Sequence, residues 1–352
     1  MKNIKENFLK IIKSNIFLMI LSVLAGLTVY IYNPGLEQDA RVVLATFGVA
    51  GVLWLTEAVP LFVTSFVIAF IFIFFGGFET KEVFYPFFDP IIVLFLGGFV
   101  LAKAFSKYDV DRFISLKFLK IAGNKTSNIL LGLMILSALL SMGMSNTASA
   151  ALLLPIGLSI LKTSKIKETD PLFKAFPLAI AYAATTGGLG TIIGSPPNAL
   201  AVKYLHGAGI NDDRISFIGW IGFMLPIVIA ILLTIYFVIR FLYKSPQKKL
   251  KIDSLNVKLD KKGKMTLIVT LFVLLLWLTG NITGISSYLV ALIPIIFFFG
   301  FDFLDSKDLR SLNWDTILLF GGGLVLGEAV INTGVNEYLA SGLVSIFSGI
   351  PL

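Results

Sequence analysis

Ser145-Asn146-Thr147 lies inside residues 126–161, a run of thirty-six residues without a charged side chain. Lysines border the run on both sides: Lys117, Lys120, Lys125, Lys162, Lys165 and Lys167. If both lysine clusters lie on one side of a membrane, the run must enter and return. As helices, limb 126–144 is about 28 Å long and limb 148–161 about 21 Å, against a bilayer core of about 30 Å. The sequence therefore predicts a re-entrant hairpin, and a polar tip at that depth indicates a binding site.

Composition places the chain among membrane proteins. Of 352 residues, 57% are hydrophobic and 14% charged, and the mean hydropathy is +0.90. The predicted fold class is therefore an all-α, polytopic membrane protein. The chain has no cysteine and one histidine, His206, which excludes cysteine sites and histidine clusters. Since no cluster of titratable groups is evident either, we do not expect an enzyme.

The positive charges predict the topology. Lys and Arg total 29, and 25 of them lie in segments that we assign to the inside, which favours a cytoplasmic N-terminus. The net charge of +8 therefore indicates inner loops and not a nucleic-acid surface. Residues 106–125 alternate apolar and charged side chains, which is typical of a helix on the membrane surface. We expect the loop 78–89 to lie outside.

Five segments follow from this layout. Residues 1–41 are a tail and first transmembrane helix, and 42–125 are the scaffold part of a first repeat. The transport part is 126–243, namely the hairpin, a broken helix and the following helix. A cytoplasmic loop, 244–264, precedes residues 265–352, an incomplete second repeat with a turn near Gly280-Asn281.

Two pairs of similar stretches indicate the repeat. Trp54-Leu55-Thr56 recurs as Trp277-Leu278-Thr279, and the glycine-containing stretch 94–101 recurs as 319–326. The offsets are nearly equal, and the first tryptophan helix is predicted to run inward and the second outward. This predicts an inverted-topology repeat, which is common in secondary transporters. The glycines Gly97-Gly98 and Gly321-Gly322-Gly323 are predicted to be close-packing positions.

The hairpin tip offers polar groups without charge. Ser145, Asn146 and Thr147 carry hydroxyl and amide groups, and Ser141 adds an oxygen one turn earlier. A helix restarting at Ala148 would direct its free N–H groups at the tip, which favours an anion. The alternative is simple helix packing, since small residues are common at membrane helix contacts.

Gly194-Ser195-Pro196-Pro197-Asn198 predicts a second special site. Two successive prolines remove two N–H donors and interrupt a helix. Carbonyls around Gly190 to Gly194 then lose their usual partners and become candidate ligands of a hard cation. Ser195 is free to bind substrate, and Asn198 could cap a half-helix starting at Ala199. The alternative is a simple kink.

Together these motifs resemble the divalent anion/sodium symporter family, which includes the INDY-type dicarboxylate and citrate carriers. Trp54 to Pro60 (Trp-Leu-Thr-Glu-Ala-Val-Pro) is also similar to that family's second helix, and the resemblance covers essentially the whole chain. It implies two inverted repeats, each with a re-entrant hairpin and a broken helix, in a homodimer. By motif position, sodium would be held by Ser141, Ser145, Asn146 and Gly194. The anion would contact Asn146, Thr147, Ser195, Pro197 and Asn198.

The resemblance implies a sodium-coupled symporter of small divalent anions, such as C4-dicarboxylates, citrate or sulfate, in a bacterial inner membrane. An anion exchanger, or a transporter of arsenite or of sodium and protons, is the alternative, and the residues do not identify the anion or the coupling ratio. The family carries a second tip in its second repeat, which the repeat offset places near position 370. From this we expect a C-terminally truncated chain.

Overall fold

The computed structural model describes residues 15–33, 35–207, 209, 215–251 and 258–347, and across these ranges the chain is α-helical without a strand. The predicted N-terminal tail, residues 1–13, lies outside them. The chain divides into two compact units, Met1–Ile92 with Asn313–Leu352, and Val93–Leu312. Helix α5 crosses from the first unit into the second.

The first unit contains the N-terminal helices and the last two described ones. They are α1 (Asn15–Tyr32), α2 (Gln38–Thr56), α3 (Leu61–Phe75), α4 (Thr80–Phe84), a 3-10 turn (Tyr85–Phe88), the start of α5 (Pro90–Lys107), α16 (Trp314–Asn332) and α17 (Val335–Phe347). The predicted outer loop 78–89 thus contains two short helical segments. Pro60 precedes the first residue of α3, where a missing N–H costs nothing.

The second unit contains the hairpin and the helices that follow it. They are α6 (Val110–Ala122), α7 (Thr126–Ser141), α8 (Asn146–Thr163), α9 (Leu172–Gly187), a 3-10 turn (Gly188–Gly190), α10 (Pro196–Gly207), α11 (Phe217–Leu242), α12 (Lys261–Leu278), α13 (Gly280–Thr283), α14 (Ser287–Gly300) and α15 (Ser306–Arg310). The predicted turn near Gly280-Asn281 is confirmed. Tyr108 and Asp109 separate α5 from α6, and Asp109 has a φ of +53°.

In the part of the chain that the structure describes, five helical segments are long and apolar enough to cross a membrane: Asn15–Tyr32, Gln38–Thr56, Thr80–Lys107, Phe217–Leu242 and Trp314–Asn332. Large apolar side chains on them are exposed, for example Phe237 on α11 at 62%. A surface of this kind suits lipid and not water. The prediction of an all-α, multi-pass membrane protein is confirmed.

The hairpin limbs differ from their predicted lengths. Helix α7 has 16 residues and α8 has 18, about 24 Å and 27 Å respectively. The prediction that the first limb is longer than the second was wrong. Helix α8 begins at Asn146, not at Ala148, and continues past Lys162 to Thr163. A lysine in the last turn of a helix is stabilised by the helix dipole, so Lys162 does not end α8.

Close packing is confirmed for some of the glycines. A Cβ on Gly97 would lie 2.3 Å from the carbonyl oxygen of Ala291, and one on Gly322 would lie 2.2 Å from the Cβ of Ser65. A Cβ on Gly321 would meet the ring of Phe87. Gly98 and Gly323 face open space instead, so their predicted role was wrong.

The two repeat-related tryptophans make the same kind of contact. The Nε1 of Trp54 donates to the carbonyl of Leu61 at 3.2 Å, and the Nε1 of Trp277 donates to the carbonyl of Ser287 at 3.0 Å. In each case the acceptor is the first residue of a shorter apolar helix, α3 or α14. The inverted relation of the repeats stays a prediction.

Candidate functional site

The tip of the hairpin is a four-residue turn between α7 and α8. Ser145 is the N-cap of α8, and its Oγ accepts a hydrogen bond from the backbone N–H of Ala148 at 3.2 Å. The N–H groups of Asn146 and Thr147 make no hydrogen bond with described residues. The positive end of the α8 dipole therefore lies at the tip, as the sequence predicted.

Ser141 and Asn146 meet across this turn. The Oγ of Ser141 donates to the Oδ1 of Asn146 at 2.5 Å. Ser141 is fully buried, and Asn146 is half-buried. The predicted pairing of these two residues at one place is therefore present in the fold.

The broken helix is also present, between α9 and α10. Helix α9 ends at Gly187, a 3-10 turn follows, and α10 begins at Pro196. Asn198 lies in the first turn of α10 and not at its cap, so that prediction was wrong. Its Nδ2 donates to the carbonyl oxygens of Gly188 at 2.8 Å and Thr191 at 2.7 Å. Asn198 thus holds the interrupted stretch against the start of α10.

The structure joins the tip to the broken helix. The Oγ1 of Thr191 donates to the carbonyl of Met142 and accepts from the N–H of Gly194 at 2.9 Å. A Cβ on Gly187 would lie 2.2 Å from the carbonyl oxygen of Ala138, so only glycine permits this approach of α9 to α7. Two motifs far apart in sequence therefore form one site.

Oxygen atoms crowd the face of Gly194. A Cβ there would lie 2.7 Å from the carbonyl oxygen of Gly188, and 3.0 Å from both the carbonyl oxygen of Ser141 and the Oγ1 of Thr191. A Cβ on Gly188 would in turn lie 2.4 Å from the Oδ1 of Asn146. Neutral, hard oxygen donors of this kind fit sodium, which unwound helices of transporters coordinate through carbonyls. The residues present therefore fit a small monovalent cation.

The other predicted residues differ in placement. Thr147 and Pro197 are exposed and Ser195 is half-buried. Neither the Thr147 nor the Ser195 hydroxyl makes a hydrogen bond with a described residue, so both are available to a ligand. The structure thus brings together Ser141, Asn146, Gly194 and Asn198. Ser145 caps α8, and the carbonyl of Ser195 accepts from the N–H of Asn198 at 3.1 Å. No hydrogen bond among the described residues joins Thr147 or Pro197 to that network.

The roles of three residues near the site were not predicted from the sequence. Gly188 and Thr191 connect the parts of the network. Ser149, one turn into α8, is fully buried, and its Oγ has no hydrogen-bond partner among the described residues. The one hint in the sequence was the position of Thr191, a hydroxyl residue between Gly190 and Gly194 in the interrupted stretch. Its role depends on a contact that spans 49 positions, which spacing alone does not show.

The site has no titratable group of its own. Neither 126–161 nor 175–202 contains Lys, Arg, Asp, Glu or His, and the described residues form no group of three acidic, His or Cys side chains that could hold a metal. Its electrostatics come from the N-terminal ends of α8 and α10, each worth about half a positive charge. This arrangement can bind ions but offers no acid, base or nucleophile pair for catalysis.

The sequence is also similar to that of a known protein family. Residues 51–352 match the family model described as CitMHS, citrate transporter. The chain belongs to this family of citrate transporters. This transporter is accordingly not an enzyme, and the resemblance to the divalent anion/sodium symporters is confirmed.

Similar proteins occur in bacteria and archaea. This transporter is 32% identical over 393 residues to the "Sodium-dependent dicarboxylate transporter SdcS" of Staphylococcus saprophyticus, covering 99% of this chain and 74% of the relative. It is 30% identical to an "Uncharacterized transporter" of Haemophilus influenzae, covering 89% and 70%. It is 35% identical to an uncharacterized transporter of Methanocaldococcus jannaschii, covering 86% and 68%.

Proposed function

We propose that this transporter is a sodium-coupled symporter of small divalent anions, such as C4-dicarboxylates, citrate or sulfate. The observation that carries the proposal is the union of the hairpin tip and the broken helix at Gly194, where neutral oxygens meet next to free hydroxyls. The name of the staphylococcal relative, a sodium-dependent dicarboxylate transporter, supports it.

Sodium in this proposal is held by Ser141, Ser145, Asn146 and Gly194. The Oδ1 of Asn146 and the carbonyl oxygens around Gly194 supply most of the negative potential. Because the Oγ of Ser141 donates to Asn146 Oδ1, its lone pairs are free to face a cation. Carbonyl and hydroxyl oxygens with no net charge suit a monovalent ion better than a divalent one, which prefers carboxylates.

The anion is bound beside the ion. The anion would accept hydrogen bonds from the side chains of Asn146, Thr147 and Ser195. The free N–H groups at the start of α8 would also donate to it. Pro197 is exposed and can border the anion. The amide nitrogen of Asn198 is already engaged with two carbonyls, so we propose that it mainly positions them, and its contact with the anion stays a prediction.

Coupling follows from charge. Two carboxylates need more positive charge than two helix ends supply, and no Lys or Arg lies in the stretches that form the site. Bound sodium supplies the remainder, so we propose that sodium binds first and the anion second. Residues 126–243, which lie within one compact unit, would move together to expose the site alternately to each side.

The expected setting is also part of the proposal. We place the transporter in a bacterial inner membrane as a homodimer, with its N-terminus in the cytoplasm. The charge distribution supports the orientation. The dimer and the two-repeat scaffold come from the family resemblance.

Uptake into proteoliposomes tests the function. Purified transporter is reconstituted and given labelled succinate, citrate or sulfate with an inward sodium gradient, or with an equal potassium gradient as the control. We expect accumulation of at least one divalent anion with sodium only. Equal uptake in potassium, or uptake that requires a preloaded anion inside, would show an exchanger or another mechanism.

A further inference from the structure

A cavity lies away from the hairpin tip, at the opposite end of the same helices. It measures about 540 Å³ and lies between the start of α7, the start of α9, the end of α11 and the segment 243–249. Its basic lining residues are Lys125, Arg240, Lys244, Lys248 and Lys249. No residue of the sodium and anion site belongs to it.

The basic side chains give this cavity a positive charge. None of the five basic side chains forms an ion pair with a carboxylate among the described residues. Arg240 donates to the hydroxyl of Tyr236 at 3.0 Å, and Lys244 lies over the ring of Phe241. The nearby carboxylate of Asp170 accepts a hydrogen bond from Ser245 at 3.0 Å instead. The cavity therefore favours a polyvalent anion.

Backbone contacts hold the lysines together. The N–H of Thr126 donates to the carbonyl of Lys248 at 3.1 Å, and the N–H of Leu250 donates to the carbonyl of Asn124 at 2.8 Å. These bonds form an isolated antiparallel bridge between Lys125 and Lys249. The bridge therefore brings basic residues of two separate segments, 125 and 248–249, to the same cavity.

The inner wall of the cavity is apolar and buried, and Thr126, Ser127, Tyr243, Ser245 and Gln247 add polar groups to the lining. Leu130, Leu172, Ala175 and Ile239 line it. The last turns of α11 also expose Phe237 at 62%, Phe241 at 71% and Leu242 at 64%, shortly before Lys244. This change from apolar to basic residues marks the edge of the bilayer, where phosphate groups of lipids lie.

We propose that this cavity binds the phosphate headgroup of an anionic phospholipid, with its acyl chains along the exposed face of α11. Basic pockets between transmembrane helices at the cytoplasmic side are suited to such headgroups. The lipid would fasten the segment 243–249 to the entry of the hairpin at Lys125. A free phosphate ion shares the headgroup chemistry but lacks the acyl contacts with α11.

Lipid binding to the purified full chain tests the proposal by native mass spectrometry. The probes are phosphatidylglycerol, phosphatidylcholine with the same acyl chains, and inorganic phosphate. The test variant is the triple change Lys244→Gln, Lys248→Gln and Lys249→Gln. The matched control is Lys258→Gln, Lys261→Gln and Lys264→Gln, which removes the same charge from exposed positions outside the cavity.

We expect preferential retention of phosphatidylglycerol over phosphatidylcholine, and a loss of roughly tenfold or more in the test triple but not in the control. If the test triple does not fold, the single change Lys248→Gln should still lower retention about threefold. Equal retention of both lipids, or equal losses in both triples, would overturn the proposal. Displacement of the lipid by inorganic phosphate at similar concentration would also overturn it in favour of a free-anion site.

Discussion

The hydroxyl of Ser141 donates a 2.5 Å hydrogen bond to the side-chain oxygen of Asn146, across the turn that joins α7 to α8. The bond fixes the amide so that its oxygen faces Gly188, where a Cβ would approach it to 2.4 Å. The amide orientation thus depends on both limbs of the hairpin and on the glycine-rich stretch. A cation bound there would contact α7, α8 and the glycine-rich stretch together. Coupling of two ligands requires a shared contact of this kind.

Asn146→Ala should weaken sodium and anion binding together, because the side chain is proposed to contact both. We expect each affinity to fall roughly tenfold or more, the usual effect of losing a hydrogen bond to a charged group. Thr147→Ala should weaken the anion by a similar factor and leave sodium within about twofold. Equilibrium binding of sodium and of succinate to each purified variant provides the measurement. Unchanged sodium affinity in Asn146→Ala would show that this residue is an anion ligand only.

Gly194→Ala should abolish sodium-stimulated uptake, because the added methyl would fill the space between the carbonyl oxygens of Gly188 and Ser141. We expect at least a tenfold loss, about 1.4 kcal/mol or more of sodium binding. Gly222→Ala is the matched control, since nothing lies within 4 Å of a Cβ at that exposed helical position. Normal sodium stimulation in Gly194→Ala would show that the ion does not bind at this glycine.

Thr191→Val should separate the hairpin tip from the broken helix while keeping the side-chain shape. It removes the bonds to the Met142 carbonyl and from the Gly194 N–H, at a cost of about 1–3 kcal/mol for the groups left unpaired. We expect a lower thermal midpoint and a weaker sodium affinity. Thr191→Ser keeps the hydroxyl and should restore both. Equal behaviour of the two variants would show that the hydroxyl does not connect the motifs.

The sequence was sufficient for the elements and for the local character of the two motifs. Uncharged runs gave the positions of the membrane helices, and the serine at 145 and the prolines at 196 and 197 marked where helices are interrupted. The lengths of the hairpin limbs were predicted incorrectly, because the ends of the helices were placed at the nearest charged residues. The actual boundary at Asn146 comes from the bond between Ser145 Oγ and the Ala148 N–H.

The role of Asn198 could not be predicted in the same way. Proline fits the first positions of a helix, where no N–H is needed, so α10 can begin at Pro196. This leaves Asn198 inside the first turn, with its side chain free to reach Gly188 and Thr191. Those partners depend on how residues 188–195 fold back onto the hairpin, which is a tertiary contact and has no local signal.

The predicted topology can be tested with single cysteines, since the chain has none of its own. Lys258→Cys should react with a membrane-impermeant maleimide only in inside-out vesicles, because lysine-rich loops are retained in the cytoplasm. Glu79→Cys should react in intact cells, since we expect its loop to lie outside. Both positions are exposed, so lack of reaction would reflect sidedness. Labelling of Lys258→Cys from outside would contradict the orientation.

Asp111 on α6 should make stability depend on pH. The side chain is only 2% exposed and its Oδ2 has no partner among the described residues, although its Oδ1 accepts from the Arg112 N–H at 2.6 Å. Burial raises the pKa of this carboxyl above its ordinary value of 3.8. The Arg112 N–H opposes that rise, and the neighbouring charge of Asp109 adds to it. Helix α6 lies outside the membrane-length segments.

The sign follows from proton binding. Between the ordinary and the raised pKa, the folded state holds a proton that the unfolded state releases, so stability falls as pH rises through that interval and stays lower above it. Asp111→Asn removes the charge at nearly constant shape. It should therefore raise the free energy of unfolding by about 1–3 kcal/mol at neutral pH, with a smaller gain at acidic pH.

Glu168→Gln is the control, because it removes an equal charge from an exposed position that does not affect the pKa of Asp111. Thermal midpoints of the purified variants across pH provide the measurement. A lower midpoint for Asp111→Asn at neutral pH would show that the buried carboxylate stabilises the fold through a favourable interaction.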